Sequence, residues 1–194
     1  MNLFAKYVAI LCLWFCIVIV MVRPANAQTW VASTGTVDES SLLSFQFTNG
    51  AAFVRGNTPG KVVLRFNVLP VGDLLTPVTQ ACCEGRALWV RFLDNGPGAQ
   101  VLVQLKQYNV LTGKITTLLS FDSNAFLPQP AFQSATPNTG LGPLVNFSFA
   151  TGPFNGANNE GGDNVYYLEA TLIRSAPGGT PGLASVSIVR TLAP

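Results

Sequence analysis

Carboxylates are the side chains of this sequence best suited to acid–base chemistry. The chain contains no histidine, which excludes Ser-His-Asp and Cys-His catalysis and histidine-bound zinc, iron or copper. A glycoside hydrolase instead needs two carboxylates about 5 to 9.5 Å apart. Most of the candidate carboxylates lie in turn-like sequence, where such groups usually cap the backbone or face water, so we do not expect catalysis. The candidates are Asp94, Asp122, Glu160, Asp163 and Glu169.

One loop has the composition of a calcium site. Calcium takes six to eight oxygen ligands from carboxylates, amides and backbone carbonyls. The segment 158–164 offers these groups between glycines that let the backbone curl, although it lacks EF-hand spacing. A plain Asn/Gly turn is the alternative. The predicted ligands of Ca²⁺, the one cofactor that the sequence suggests, are Asn158, Glu160, Asp163 and Asn164.

Aromatic side chains are candidates for stacking on sugar rings. Trp89 alternates with Leu88 and Val90, so it either projects outward as a platform or belongs to the core if the two faces are inverted. Both interpretations stay open. The predicted ligand-binding set is Trp89, Tyr108, Tyr167, Phe126 and Phe132.

The N-terminus has the order of a secretory signal peptide. Lys6 precedes an uncharged apolar run, 7–22, and Ala25-Asn26-Ala27 is a small-x-small cleavage site. A permanent anchor is the alternative, but a helix of this run would span about 24 Å, short of a hydrocarbon core of about 30 Å. We therefore expect cleavage after Ala27 and a secreted, extracellular or periplasmic protein that leaves the membrane.

Charge and cysteine content describe the remaining chain. The net charge of +2 comes from Lys6 and Arg23 in the leader, so the rest is formally neutral and lacks the basic stripe that nucleic acids require. Two cysteines remain, Cys82 and Cys83. Adjacent cysteines cannot bridge distant parts of the fold, so they form a redox-sensitive vicinal pair, link two chains, or have no special role.

Period-two alternation dominates the sequence after the leader. The clearest run, 61–69, places Val62, Leu64, Phe66 and Val68 on one face, which is the strand pattern. Similar runs occur at 42–48, 51–55, 86–93, 100–108, 115–121, 144–149, 165–174 and 183–190. These predict an all-β protein: a two-sheet antiparallel sandwich or jelly roll of about nine strands, with a barrel as the alternative.

Turns and loops give the expected organisation. Asn49-Gly50 and the segment 94–98 are predicted hairpin turns, and the segment 111–114 is predicted to be a turn before the run 115–121. The segment 122–143 is predicted to be a long loop. The predicted domains are a signal peptide at 1–27, a flexible N-terminal arm at 28–40 and one β-sandwich domain at 41–194.

Three functions fit these features. The first is a secreted, non-catalytic module that binds a glycan or a surface protein. The second is a structural protein of an envelope or matrix that self-associates through the arm, an edge strand or the two cysteines. The third is a small glycan-active enzyme that uses two carboxylates. No nucleic-acid partner is expected.

Overall fold

The computed structural model describes residues 28–69, 84–136 and 164–192. Eleven β-strands lie within these ranges, together with three short 3-10 helices at Ala32–Thr34, Glu39–Ser44 and Ser123–Ala125. The strands are β1 (Gln28–Val31), β2 (Thr36–Val37), β3 (Phe45–Thr48), β4 (Ala51–Val54), β5 (Gly60–Val68), β6 (Glu84–Asp94), β7 (Ala99–Asn109), β8 (Ile115–Asp122), β9 (Gln129–Ala135), β10 (Asn164–Arg174) and β11 (Gly182–Leu192).

The strands form two antiparallel sheets, which confirms the predicted all-β sandwich. The six-stranded sheet has the order β3-β4-β11-β6-β9, and β1 pairs with β11 on the edge that β4 also uses. The five-stranded sheet has the order β2-β5-β10-β7-β8. Within the described ranges no helix is long and apolar enough to cross a membrane.

The core lies between the two sheets, where the alternating positions of each strand meet. On β5, Val62, Leu64 and Phe66 are at most 2% exposed, while Arg65 between them faces outward. Leu168 and Leu172 of β10 repeat the pattern. Alternation in the sequence therefore becomes one buried and one outward face on each sheet.

The turn signals in the sequence predict some of the strand pairs correctly and one incorrectly. Asn49 and Gly50 adopt positive φ angles of 51° and 81° and join β3 to β4, and the turn at 111–114 joins β7 to β8. The predicted hairpin at Asn49-Gly50 and the predicted turn at 111–114 are confirmed. The hairpin predicted at 94–98 is wrong, because this turn carries the chain from β6 in one sheet to β7 in the other. A turn signal reports a reversal of direction but does not say which sheet the next strand joins.

The segment expected to be a flexible arm is strand structure instead. Gln28–Val31 pairs with β11, and Thr36–Val37 pairs with β5. Trp30 packs against the core, and its indole N–H donates to the carbonyl of Asn67 on the opposite sheet at 3.1 Å. This contact ties one edge of the sandwich together, which explains why the segment is not an arm.

Two further predictions differ from the structure at their edges. The run 42–48 is a strand only from Phe45, because Asp38 caps a 3-10 helix over Glu39–Ser44. The predicted loop 122–143 contains β9 within its described part. The signal peptide at 1–27, the strand at 144–149 and Cys82 and Cys83 lie outside the described residues.

Candidate functional site

Trp89 lies in the middle of β6 with its side chain on the outer surface of the six-stranded sheet. Its neighbours Leu88 and Val90 are fully buried, whereas Trp89 is 50% exposed. The strand is held on one side by β11, where Ser187 faces Trp89 in the register. The period-two pattern therefore placed Trp89 on the correct side of the strand, and the alternative that it belongs to the core is wrong.

Small hydroxyl side chains surround Trp89 on the same outer surface. Thr29 Oγ1 and Ser187 Oγ are 2.8 Å apart, and their strands pair directly. On β6, Arg91 faces Ser185 of β11 on one side and Ser134 of β9 on the other. We call this surface the Trp89 face; it comprises Thr29, Trp89, Arg91, Ser134, Ser185 and Ser187.

A second aromatic pair lies further along the same sheet surface. The rings of Phe53 on β4 and Phe132 on β9 meet edge to face with centroids 5.9 Å apart. They come together across two intervening strands because Gly182 of β11 has no side chain there. A Cβ atom at Gly182 would lie 2.8 Å from the Phe53 ring. Gly182 pairs with Phe53 on one side and with Leu93 on the other, so the two rings form an apolar border to the Trp89 face.

The predicted ligand-binding residues are split between different surfaces. Trp89 and Phe132 share the outer surface of the six-stranded sheet. Tyr108 and Tyr167 lie on the outer surface of the other sheet, where Tyr108 faces Val165 and Tyr167 faces Lys106. Phe126 packs into the sandwich, stacked on Phe121 with ring centroids 5.3 Å apart. The five aromatic residues therefore do not form one site.

The predicted calcium site lies mostly outside the described residues, which exclude Asn158, Glu160 and Asp163. Asn164 begins β10, and its side-chain oxygen accepts a hydrogen bond from Asn109 Nδ2 at 3.1 Å. Among the described residues no group of three acidic, cysteine or histidine side chains could hold a metal ion. The calcium site stays a prediction.

The carboxylates considered for catalysis have structural partners. Asp94 is 4% exposed and accepts hydrogen bonds from Ser123 Oγ at 2.5 Å and from the Gly96 amide at 3.1 Å. Asp122 accepts from Gln100 Nε2 at 3.0 Å. Asp94 also borders a cavity of about 220 Å³ that Asn124, Phe126 and Pro128 help to line. Among the described residues that line this cavity Asp94 is the one carboxylate, whereas glycoside hydrolysis uses two.

Glu169 belongs to an ion network on the outer surface of the five-stranded sheet. Its carboxylate accepts from Lys106 Nζ at 2.6 Å and from Arg65 Nε at 3.0 Å. Arg65 also donates to Asp38 at 2.7 Å. Burial raises the pKa of Glu169, but the hydrogen bonds and charges of Lys106 and Arg65 outweigh it and leave that pKa below its ordinary value of 4.5. The network thus joins β5, β10 and β7 and pairs two cations of this surface, Arg65 and Lys106, with carboxylates.

This network predicts a pH-dependent contribution to stability. A carboxyl group whose pKa is lowered on folding stabilises the fold above its unfolded pKa, and that contribution is lost as the pH falls through the folded value. We therefore expect Glu169→Gln to lower the free energy of unfolding by about 1 kcal/mol at pH 7. The difference from wild type should shrink below pH 4.5. Urea titrations of both proteins at pH 7 and pH 3 measure it.

Glu39→Gln is the matched control for this prediction. Glu39 is an exposed carboxylate that makes no salt bridge in the described part of the chain, so its removal should change little at either pH. A Glu169→Gln effect that is as large at pH 3 as at pH 7 would contradict an electrostatic origin.

The sequence predicts only some of the residues of the Trp89 face. Trp89 and Arg91 fall on one side of β6 by simple alternation, although Arg91 was not proposed as a binding residue. Thr29 was missed because its segment was predicted to be an arm. Ser187 and Ser134 reach the site through pairing between strands far apart in sequence, for which the sequence carries no local signal.

Comparison with known proteins gives distant structural similarities. No protein-family model and no curated protein matches the sequence. One similar structure is a family two carbohydrate esterase from Cellvibrio japonicus, with a TM-score of 0.38 and 12% identity over 88% of this chain and 36% of that chain. Another is described as showing the promiscuous specificity of carbohydrate-binding modules from the β-sandwich superfamily, with a TM-score of 0.39 and 10% identity over 88% of this chain.

A third similar structure has nearly the length of this chain. It is a family 11 carbohydrate-binding module from Clostridium thermocellum in complex with a β-1,3-1,4-mixed-linked tetrasaccharide, with a TM-score of 0.33 and 10% identity over 89% of this chain and 92% of that chain. The chain spans 36% and 57% of the first two proteins.

Proposed function

We propose that this chain is an exported, non-catalytic module that binds a glycan on the Trp89 face. The observation that carries the proposal is the 50% exposure of Trp89 in a strand whose alternate side chains are fully buried. A large aromatic side chain in the middle of a sheet surface is costly to leave in water, and such exposed apolar surface commonly marks a binding site.

The neighbours of Trp89 suit a sugar better than a purely apolar ligand. A pyranose ring has one or two faces of C–H groups and a rim of hydroxyl groups. The indole offers a flat surface for the C–H groups, while the exposed side chains of Thr29 and Arg91 offer hydrogen bonds to the rim. Ser187 is 7% exposed and holds the Thr29 hydroxyl in place. An apolar platform with a few placed polar groups is the usual composition of a site for a small ligand.

A binding role, rather than hydrolysis, is supported by the positions of the acidic residues. Among the described residues no carboxylate occupies an outward strand position on the six-stranded sheet. Asp94, Asp122 and Glu169 each hold neighbouring structure through the hydrogen bonds given above. A ligand on the Trp89 face would therefore meet no acid and base pair among the side chains that the structure describes.

Replacing Trp89 by alanine should abolish or strongly weaken glycan binding. We expect at least a tenfold loss of affinity, because a central aromatic anchor typically contributes about 2 kcal/mol or more to binding. A glycan array selects the ligand, and affinity electrophoresis or calorimetry then compares wild type, Trp89→Ala and Trp89→Phe. The phenylalanine variant keeps a smaller ring and should retain part of the affinity.

Tyr167→Ala is the matched control, since it removes an aromatic side chain from the opposite surface of the sandwich. It should bind as wild type does. If Tyr167→Ala loses binding and Trp89→Ala does not, the ligand lies on the five-stranded sheet and the proposal is wrong. If no glycan binds and Trp89→Ala converts an oligomer to a monomer in sedimentation, Trp89 serves self-association and the proposal is also wrong.

A further inference from the structure

Among the described residues, Arg91 is a cation of the Trp89 face that makes no salt bridge. Arg91 is exposed, and it takes part in none of the salt bridges of the described residues, which all belong to the Arg65, Lys106, Glu169 and Asp38 network. Its facing residues, Ser185 and Ser134, are small and uncharged. The guanidinium is therefore not neutralised by the side chains that the structure describes on this sheet.

The two outer surfaces of the sandwich differ in their acidic residues. On the five-stranded sheet Glu169 pairs with both Lys106 and Arg65, so two cations face carboxylates of the chain itself. On the six-stranded sheet no acidic residue occupies an outward position within the described ranges. Lys61 of β5 is also exposed and takes part in none of the salt bridges of the described residues. Of Lys61 and Arg91, Arg91 is the one that shares a strand face with an exposed tryptophan.

The spacing of Arg91 and Trp89 suits a charged sugar. Residues two apart on a strand project from the same side about 7 Å apart, so an arginine side chain reaches the edge of a ring stacked on Trp89. Arginine presents a planar fork of N–H groups that pairs with both oxygens of a carboxylate. A neutral sugar uses less of that fork.

We propose that the glycan bound on the Trp89 face is a carboxylated one, in which Trp89 stacks on a uronic acid ring and Arg91 pairs with its carboxylate. This inference rests on the proposed function. It adds the ligand class and a specificity-determining residue, Arg91. The carboxylate stays on the sugar throughout, and no bond is made or broken.

The test compares polygalacturonate with its carboxyl-reduced form, which keeps the backbone and loses the charge. Wild type should bind polygalacturonate at least tenfold more tightly, and its affinity should fall as salt rises from 50 to 500 mM. Arg91→Gln should lose about tenfold in affinity for polygalacturonate and clearly less for the reduced form, which keeps only hydroxyl groups for the guanidinium to bind. Arg91→Lys keeps the charge without the fork and should fall between the two.

Lys114→Gln is the charge-matched control, because it removes one exposed positive charge from the turn between β7 and β8. It should bind as wild type does. An equal loss in Lys114→Gln would mean nonspecific attraction and overturn the role of Arg91. Equal affinity of wild type for both polymers would overturn the carboxylate preference. If Trp89→Ala still weakened binding in that case, the proposed glycan-binding function would be supported on its own. Failure of both polymers and of every other array glycan would overturn both proposals.

Discussion

Gly179→Ala is expected to destabilise the protein by at least about 3 kcal/mol, the largest effect of any single substitution considered for this chain. Gly179 is buried in the turn between β10 and β11. An added Cβ atom there would overlap the carbonyl group of Gly98 and lie 2.9 Å from the Ala99 amide nitrogen. Both obstacles are backbone, so neither can move as a side-chain end could, and overpacking of this kind is strongly destabilising.

Gly178→Ala is the control from the same turn. Gly178 has a positive φ of 89° but nothing within 4 Å of an added Cβ, so alanine meets backbone strain alone, which costs about 1 kcal/mol. Urea unfolding followed by fluorescence of the tryptophans gives both values. Equal destabilisation by the two variants would show that the turns at 94–98 and 175–180 are not in close contact.

The buried strands were the part of the fold that the sequence specified best. The strand predicted at 165–174 corresponds to β10 (Asn164–Arg174), and the run 61–69 corresponds to β5 (Gly60–Val68). Each contains four or more alternating apolar residues with a turn signal at one end at least. A shift of the strand register by one residue would expose all of its apolar side chains to solvent. These patterns therefore predict both the strand and its inner face.

Strand pairing could not be predicted, because it depends on contacts between residues far apart in sequence. β6 and β7 are consecutive and joined by a strong turn, yet they belong to opposite sheets. β1 pairs with β11 across nearly the whole chain, with Thr29 facing Ser187. Short strands such as β1 and β2 have too few residues to show an alternating pattern, which is why the sequence predicts an arm at 28–40.

The candidate site shows the same division between local and nonlocal information. Trp89 and Arg91 share one side of β6 by alternation alone. Their companions Thr29, Ser134 and Ser187 come from three other strands. Tyr108 and Tyr167 also have aromatic rings that could stack on a sugar. The sheet surface that they occupy, however, follows from the topology and not from their residue type.

The second large effect is expected at Arg174, the last residue of β10. Arg174 is 5% exposed, and its guanidinium donates to the backbone carbonyls of Gly179, Gly56 and Arg55. It therefore connects the turn after β10 to the turn after β4. Arg174→Met keeps the length of the side chain but removes every donor. A buried carbonyl left without a partner costs about 1–3 kcal/mol, and the Gly179 contact is buried. The contacts to Gly56 and Arg55 are only partly buried and add less, so we expect a total loss of about 2–3 kcal/mol.

Arg55→Met separates the loss of these donors from the loss of an arginine charge in the same region. The Arg55 side chain is exposed, and the substitution leaves its carbonyl in place as an acceptor for Arg174, so stability should change by less than about 0.5 kcal/mol. Arg174→Lys restores the charge, but a single ammonium on a flexible chain cannot serve carbonyls from two turns at once, and it should recover less than half of the loss. Full recovery by lysine in thermal unfolding would mean that charge alone, and not the arrangement of the guanidinium donors, holds the two turns together.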